Sequence, residues 1–381
     1  MNEVTKIDGI GSSVRRTEDK KFLTGKGRYT DDINRPGQVQ AYFLRSDVAH
    51  AEIKSIDTKA AQSAPGVVGV FTGADIAADK VGGPICGWVV PCRDGSSTKE
   101  PPHPLLAQGK VRFVGDAVAV VVAETMEQAK SAAELIDVDY NELTPVVDFV
   151  NADKGAQIHE EVPNNCYFDW ELGDESATNK AIESAAKVVK LSVRNNRLVP
   201  NAMEPRSALA EYDSLDESYT LHTTSQNPHL TRLVLAAFMF AIPESKLRVI
   251  APDVGGGFGS KIYVYIEEAV CVWASKKIGR PVKWTADRTQ AFLTDCHGRD
   301  HVNDVQLALD DNNKIIGLRV DTVCNLGAYL SAFSVVVPTI LHGTLLSGQY
   351  DIPAIYTNLS LIHISEPTRR RGISYAVFCL K

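Results

Sequence analysis

The glycine-rich segment 253–261, DVGGGFGSK, constrains this chain more than any other stretch of its sequence. Gly255, Gly256 and Gly257 have no Cβ atom, so their backbone can adopt positive φ and approach a ligand closely. A strand pattern (LRVIA) precedes the loop, and a helical pattern over 263–278 follows it. Successive loop N–H groups, helped by the N-terminus of that helix, can bind an anionic oxygen. The segment is therefore either a ligand-binding loop or a strand-to-helix turn without a ligand.

A dinucleotide-binding fold is one alternative interpretation of this loop. A strand, a glycine loop, a helix and a second strand (PVKWT) occur in the required order, and Asp287 follows the second strand. However, the spacing GGGFGS differs from GxGxxG, and Asp287 lies further beyond Gly259 than the usual distance of about 20 residues. An NAD(P)-dependent dehydrogenase is therefore the second choice, and nicotinamide binding by the chain would favour it.

Composition excludes several other classes of protein. The net charge of −7 and the pI of about 5.8 give no basic surface for nucleic acid. No run approaches the roughly 20 apolar residues of a membrane span, and the first residues lack the apolar core of a signal peptide. We therefore expect a cytoplasmic protein without a transmembrane segment. The seven cysteines form no CxxC pair, so any iron–sulfur cluster should lie on another chain.

The order of sequence patterns predicts a mixed α/β (α+β) fold with two domains. We expect a first domain over residues 1–150, a polar linker over 151–165 with Gly155 and Pro163, and a second domain over 166–358. The predicted strands lie at 39–45, 68–72, 136–140, 187–195, 219–224 and 246–251. The apolar run 111–123, interrupted by Gly115 and Asp116, predicts a hairpin or a bent pair of strands that leads into a buried strand. The predicted helices lie at 125–135, 178–186, 229–240 and 263–278.

The last 23 residues, 359–381, differ in character from what precedes them. LSLIHISEPTR (359–369) and ISYAVFCL (373–380) resemble the in-frame translation of a transposase-type sequencing adapter, with the variable index between them. We therefore expect a non-native tail over 359–381 and a gene product cut short at about Asn358.

Eight motifs in order make the chain resemble the molybdenum-cofactor-binding large subunit of the xanthine dehydrogenase, aldehyde oxidase and carbon monoxide dehydrogenase family. The motifs are GKGRYTDDI (25–33), KVRFVGDAVAVVVAE (110–124), MEPRSALAEY (203–212), TSQNPH (224–229), RVIAPDVGGGFGSK (248–261), GRPVKWTADR (279–288), HGRDH (297–301) and LGAY (326–329). The resemblance implies an N-terminal α/β hammerhead domain followed by the first part of the molybdopterin-binding domain.

The resemblance also implies which residues bind the cofactor. Gln226 matches the glutamine whose amide donates to an oxo ligand of molybdenum, a role that brings no charge into the site. Gly257, Phe258 and Gly259 match the loop whose backbone lines the metal's ligands, and Gly256 is a further candidate. The cofactor would be molybdopterin, expected as its cytosine dinucleotide. The catalytic base, a glutamate in the family, is expected beyond this chain.

In such a family, the reaction is oxidation of CO, or hydroxylation of an aldehyde or an N-heterocycle with water as the oxygen source. Electrons would pass to an iron–sulfur small subunit and an FAD-binding medium subunit, in a dimer of heterotrimers. Ile262 stands where purine-oxidising relatives have a glutamate, which argues against purines. We expect no turnover and poor cofactor binding from this chain alone, and a non-catalytic half-subunit is a further alternative.

Several polar residues are expected to be structural. A structural ion pair explains Glu204 and Arg206 as well as catalysis would, and Glu267 and Glu268 are expected on the exposed side of their helix. His297 and His301 are expected in a solvated turn, because Gly298 lies between them and no HExxH pattern is present.

Overall fold

The computed structural model describes residues 9–362, 364 and 365. The strands of this part of the chain are β1 (Val39–Arg45), β2 (Ala51–Asp57), β3 (Val67–Thr72), β4 (Lys110–Val111), β5 (Ala117–Ala123), β6 (Asp137–Glu142), β7 (Cys166–Gly173), β8 (Lys187–Asn195), β9 (Ser207–Asp213), β10 (Ser218–Thr223), β11 (Leu247–Ile250), β12 (Val282–Thr285), β13 (His301–Leu309), β14 (Ile315–Asn325) and β15 (Ile355–Ile362). Its α-helices are α1 (Asp19–Leu23), α2 (Lys59–Gln62), α3 (Gly73–Ala78), α4 (Met126–Ala133), α5 (Glu175–Glu183), α6 (Pro228–Leu233), α7 (Ile266–Ile278) and α8 (Arg288–Thr294). The predicted mixed α/β class is confirmed.

A seven-stranded sheet joins the two predicted domains. Its strand order is β11-β10-β9-β12-β1-β5-β3, so β1 of the N-terminal part pairs in parallel with β12, Val39 facing Val282. Strand β5, AVAVVVA, is buried at every residue, as its unbroken apolar run requires. The helix α7 packs on β9, β10 and β12, and the largest core cluster of the described residues lies between them. Strands from both parts therefore share one sheet and one core.

The segment 151–165 is packed against other parts of the fold. Ala152, Ile158 and Val162 are almost fully buried, and the amide of Asn165 donates to the carbonyls of Ala152 and Ala156. The segment therefore contributes to a core cluster and is not an open, polar tether. The domain boundaries on either side of it stay a prediction.

A five-stranded sheet, in the order β7-β15-β14-β13-β8, contains residues 359–362 at the start of the predicted tail. Strand β15 pairs in parallel with β14 and antiparallel with β7, and Leu359 and Leu361 in it are fully buried. The predicted boundary after Asn358 therefore lies inside a strand. Most of the predicted non-native tail, residues 363 and 366–381, lies outside the described residues.

Local patterns locate most elements within a few residues. The strands predicted at 39–45 and 187–195 have those bounds in the structure, and the hydroxyl of Thr125 caps α4 by accepting from the N–H of Gln128. The helix predicted at 229–240 is α6 followed by a π-helical turn, Val234–Met239. In the described part of the chain, no helix is long and apolar enough to cross a membrane.

Candidate cofactor site

The glycine loop connects β11 to α7 and contains three residues with positive φ. These are Gly256 at 95°, Phe258 at 50° and Gly259 at 92°. A non-glycine residue rarely adopts this conformation, so Phe258 is held there by its surroundings. The residue is 75% exposed. In the described part of the chain, the N–H groups of Gly256, Gly257 and Phe258 donate to no acceptor. The loop therefore presents three successive unpaired donors.

Gln226 lies against this loop, as predicted. Its side-chain oxygen accepts from the N–H of Gly259 at 3.1 Å and from that of Lys261 at 3.2 Å, while its own N–H donates to the Lys261 carbonyl at 2.8 Å. A Cβ on Gly257 would lie 2.3 Å from the same side-chain oxygen, so any larger residue there would displace the Gln226 side chain or the loop. Because the oxygen is fixed by the loop, the amide NH₂ is the end of Gln226 that remains to donate.

A buried ion pair holds the other side of the loop. The Lys261 ammonium, almost fully buried, donates to the Glu204 carboxylate at 3.1 Å and to the Glu204 carbonyl at 2.8 Å. The same carboxylate accepts from the N–H of Gly255 at 2.6 Å. Burial lowers the pKa of Lys261, and the adjacent Glu204 carboxylate opposes that shift. The predicted Glu204–Arg206 ion pair is wrong, because Glu204 pairs with Lys261.

Arg206 belongs to a second buried network. Its guanidinium donates to Glu267 at 2.8 Å and to Asp295 at 2.6 Å, and it stacks 3.7 Å from the ring centroid of Tyr265. Arg45, from β1, donates to Glu267 at 2.7 Å. Burial alone would raise the pKa of Glu267, but the two arginines bring it down to about 2. Glu267 therefore stays ionised and connects β1 to the cofactor-loop region.

The expected exposure of Glu267 and Glu268 is wrong. Both carboxylates are buried in the first turn of α7, and Glu268 accepts from the Thr223 hydroxyl at 2.5 Å and from the N–H of Tyr265 at 3.0 Å. Burial raises the pKa of Glu268. Sequence periodicity did not show that Glu267 and Glu268 are buried, because it carries no information about partners on other elements. The signal that the sequence did contain was the motif MEPR, whose Glu204 and Arg206 both take part in buried ion pairs.

The dinucleotide-binding alternative does not fit this topology. Helix α7 begins at Ile266, seven residues after Gly259, and the Glu268 carboxylate in its first turn accepts from the N–H of Tyr265, the residue before the helix. Strands β11 and β12 are separated in the sheet by β10 and β9, whereas a dinucleotide-binding crossover joins near neighbours. The N-terminus of α7 is separated from the glycine loop by the residues 260–265, so the helix does not follow the loop directly as a dinucleotide-binding fold requires.

Family models match most of the chain. Residues 158–371 match the molybdopterin cofactor-binding domain, and residues 24–144 match the a/b hammerhead domain of aldehyde oxidase and xanthine dehydrogenase. The chain belongs to the molybdenum hydroxylase family. Its family is one of oxidoreductases, and the predicted succession of a hammerhead and a molybdenum-cofactor-binding domain is confirmed.

Similar proteins act on different substrates. The chain is 34% identical to the carbon monoxide dehydrogenase large chain of Hydrogenophaga pseudoflava, covering 97% of this chain and 46% of that protein. It is 35% identical to the nicotine 6-hydroxylase large subunit of Paenarthrobacter nicotinovorans, covering 91% and 42%. The solved structure of quinoline 2-oxidoreductase from Pseudomonas putida 86 matches with a TM-score of 0.85 and 34% identity, over 93% of this chain and 44% of that one. The chain thus spans less than half the length of these relatives.

Proposed function

We propose that this chain is the part of a molybdenum hydroxylase large subunit that holds the oxo side of a molybdopterin cofactor. The proposal rests on one observation: the side chain of Gln226 is hydrogen-bonded to the loop that carries the unpaired N–H groups of Gly256, Gly257 and Phe258. Fixed N–H donors stabilise oxo-anionic groups without reorganising. When bound, the cofactor would accept electrons from the substrate while water supplies the oxygen atom.

The residues of this chain fit such a group. Gly257 leaves no room for a side chain beside Gln226, so the loop backbone itself would face the ligand. Glu204 and Lys261 would fix the loop from its other side. Gly259, whose N–H orients Gln226, would act through that glutamine.

The remainder of the proposal concerns the whole enzyme. We infer that the cofactor is molybdopterin cytosine dinucleotide. The substrate would be CO, an aldehyde or an N-heterocycle. Iron–sulfur and FAD-binding subunits would receive the electrons. Relatives named for CO, nicotine and quinoline support this range of substrates. We expect the chain by itself to retain the cofactor at well below one equivalent and to show no turnover.

The test is to express the chain in a bacterium that makes molybdopterin and to compare it with the Gly257→Ala variant. Molybdenum per chain and the fluorescence of the released, oxidised pterin are measured after purification. We expect the wild type to carry both above the host background. In the variant, the new methyl group would displace Gln226 or the loop, and retention should fall at least tenfold, a loss of about 1.4 kcal/mol of binding free energy.

Gly87→Ala is the matched control, since a Cβ at Gly87 would only make an ordinary contact of 3.6 Å with the carbonyl oxygen of Ala332. Retention by this control should equal that of the wild type. A wild type with no more molybdenum and pterin than Gly257→Ala would contradict the proposal.

A further inference from the structure

A cavity of about 250 Å³ lies beside the cofactor loop, between the hammerhead part and the second domain. Phe113 lines it from the first part, and Tyr263, Cys296 and Tyr329 line it from the second. The N–H of Cys296 donates to the Tyr265 hydroxyl at 3.0 Å, and that hydroxyl donates to the carbonyl of Ser260 at 2.6 Å. The Tyr265 side chain therefore links the cavity wall to the glycine loop through two hydrogen bonds.

Aromatic rings form much of the cavity wall. Tyr329 stacks on His103 with ring centroids 4.0 Å apart and planes 5° apart, and Phe113 meets Tyr329 edge-on at 6.4 Å. Tyr263 is part of the same wall, four residues after Gly259. Ring faces and edges of this kind attract a flat aromatic ligand. The volume lies just below the roughly 300–1,000 Å³ of small-molecule sites, which leaves room for a single ring.

Positive charge at the cavity comes from Arg299. This exposed side chain lines the cavity and pairs with no carboxylate in the described part of the chain. The Asp295 carboxylate also lines the cavity, but it accepts from buried Arg206 at 2.6 Å. Burial lowers the pKa values of His297 and His301 to about 4, so both rings are uncharged at neutral pH. The cavity therefore suits an anion.

The backbone at Arg299 and Asp300 has an unusual conformation. Arg299 and Asp300 both have positive φ, at 72° and 73°, which costs roughly 1–2 kcal/mol per residue. The Asp300 carboxylate accepts from the Asn325 amide at 2.6 Å, and the Asp300 N–H donates to the Asn195 carbonyl at 3.0 Å. Such strain persists only where the surroundings hold it, and it is concentrated at functional sites.

We propose that this cavity binds a planar aromatic ligand that carries a carboxylate. The ring would lie among Phe113, Tyr263 and Tyr329, with the carboxylate on the guanidinium of Arg299, which is suited to two parallel hydrogen bonds. This inference rests on the proposed function, under which the ligand is the substrate and its ring lies beside the cofactor loop.

The test compares benzoate with benzamide, which have nearly the same shape but differ in charge. Binding to the purified chain is measured by calorimetry at pH 7.5 and low salt. We expect benzoate to bind at least about tenfold more tightly than benzamide, because a hydrogen bond to a charged group is the stronger one. In Arg299→Gln this preference should vanish while benzamide binding stays unchanged.

Arg248→Gln, which removes an exposed arginine outside the cavity, should keep the preference of the wild type. Arg299→Lys retains the positive charge and should keep part of the preference for benzoate. This variant provides the test if Arg299→Gln fails to fold. Equal binding of the two probes, or an unchanged preference in folded Arg299→Gln, would overturn the proposal. Molybdenum and pterin content, measured on the same preparations, reports separately on the proposed function and should not depend on Arg299.

Discussion

At the scale of single residues, Arg206 shows how a buried charge can join distant parts of a chain. Arg206 is 3% exposed, and its guanidinium donates to Glu267, Asp295 and the Thr294 hydroxyl. Burial opposes the charged form, but the two carboxylates raise the pKa of Arg206 above its ordinary value. The ion therefore stays charged, and its removal would leave two buried carboxylates short of a partner.

We expect Arg206→Met to lower the free energy of unfolding by about 3–5 kcal/mol, since breaking a buried pair leaves an uncompensated buried charge. Urea unfolding followed by circular dichroism measures the change. Arg280→Met is the control: Arg280 makes two hydrogen bonds to Glu124 at 2.7 and 2.8 Å, but this pair is largely exposed and should contribute only about 0–1 kcal/mol. Equal losses in the two variants would refute this account of Arg206.

At the scale of elements, the turn before β5 brings a carboxyl group into the interior. The Asp116 carboxylate accepts from the Arg112 N–H at 3.0 Å, and the side chain is 4% exposed. Burial raises the pKa of Asp116 to about 7, although Arg112 and Arg45 oppose the shift. The folded chain therefore holds a proton that the unfolded chain releases between about pH 4 and pH 7.

The wild type should consequently lose stability as the pH rises through that window. Asp116→Asn keeps an oxygen to accept from Arg112 and has no proton to lose. We expect the variant to equal the wild type near pH 4 and to exceed it by on the order of 1 kcal/mol or more at pH 8. Urea unfolding at pH 4.5, 6 and 8 measures the difference. Exposed Asp139→Asn should show no such trend, and a pH-independent gain in Asp116→Asn would contradict the prediction.

Sequence patterns predicted where strands and helices lie along the chain better than they predicted which elements pack against one another. The apolar runs of Val39–Arg45 and β5 locate strands, because burial on a sheet face needs apolar side chains at fixed intervals. The pairing of β1 with β12 joins residues more than 240 positions apart, and no local pattern encodes it. For the same reason, periodicity gave Glu267 an exposed position: its partners Arg45 and Arg206 come from other strands or loops.

For the candidate site, the sequence predicted the cofactor-binding residues but not the contacts that hold them in place. The glycine loop and Gln226 carry motifs that identify them, and the structure brings them together. Lys261 lies in the glycine-loop motif and Glu204 in the motif MEPR, but the sequence does not show that they pair, because an ion pair is visible only when both elements are placed. The helix expected to support the anion site is offset by several residues, since Ser260–Ile262 forms a short 3₁₀ turn first.

At the scale of the whole molecule, the two parts of the chain share one structural unit. Phe43 of β1 and Trp284 of β12 meet edge-to-face with ring centroids 5.9 Å apart, and both are almost fully buried. Val39 donates from its N–H to the Pro281 carbonyl at 2.8 Å, which continues the β1–β12 pairing. A sheet and a core that cross the predicted boundary should make the hammerhead part and the second part unfold together.

The Phe43→Ala variant tests this coupling. Loss of a buried phenylalanine should cost about 3–5 kcal/mol, whereas Val68→Ala, at a partly exposed position of β3, should cost much less. If the parts are one unit, tryptophan fluorescence and circular dichroism should report a single urea transition that shifts as a whole in Phe43→Ala. Two transitions, of which Phe43→Ala moves only one, would mean that each part is stable by itself. In that case the β1–β12 pairing would be a contact between domains, and the site would depend on the second part alone.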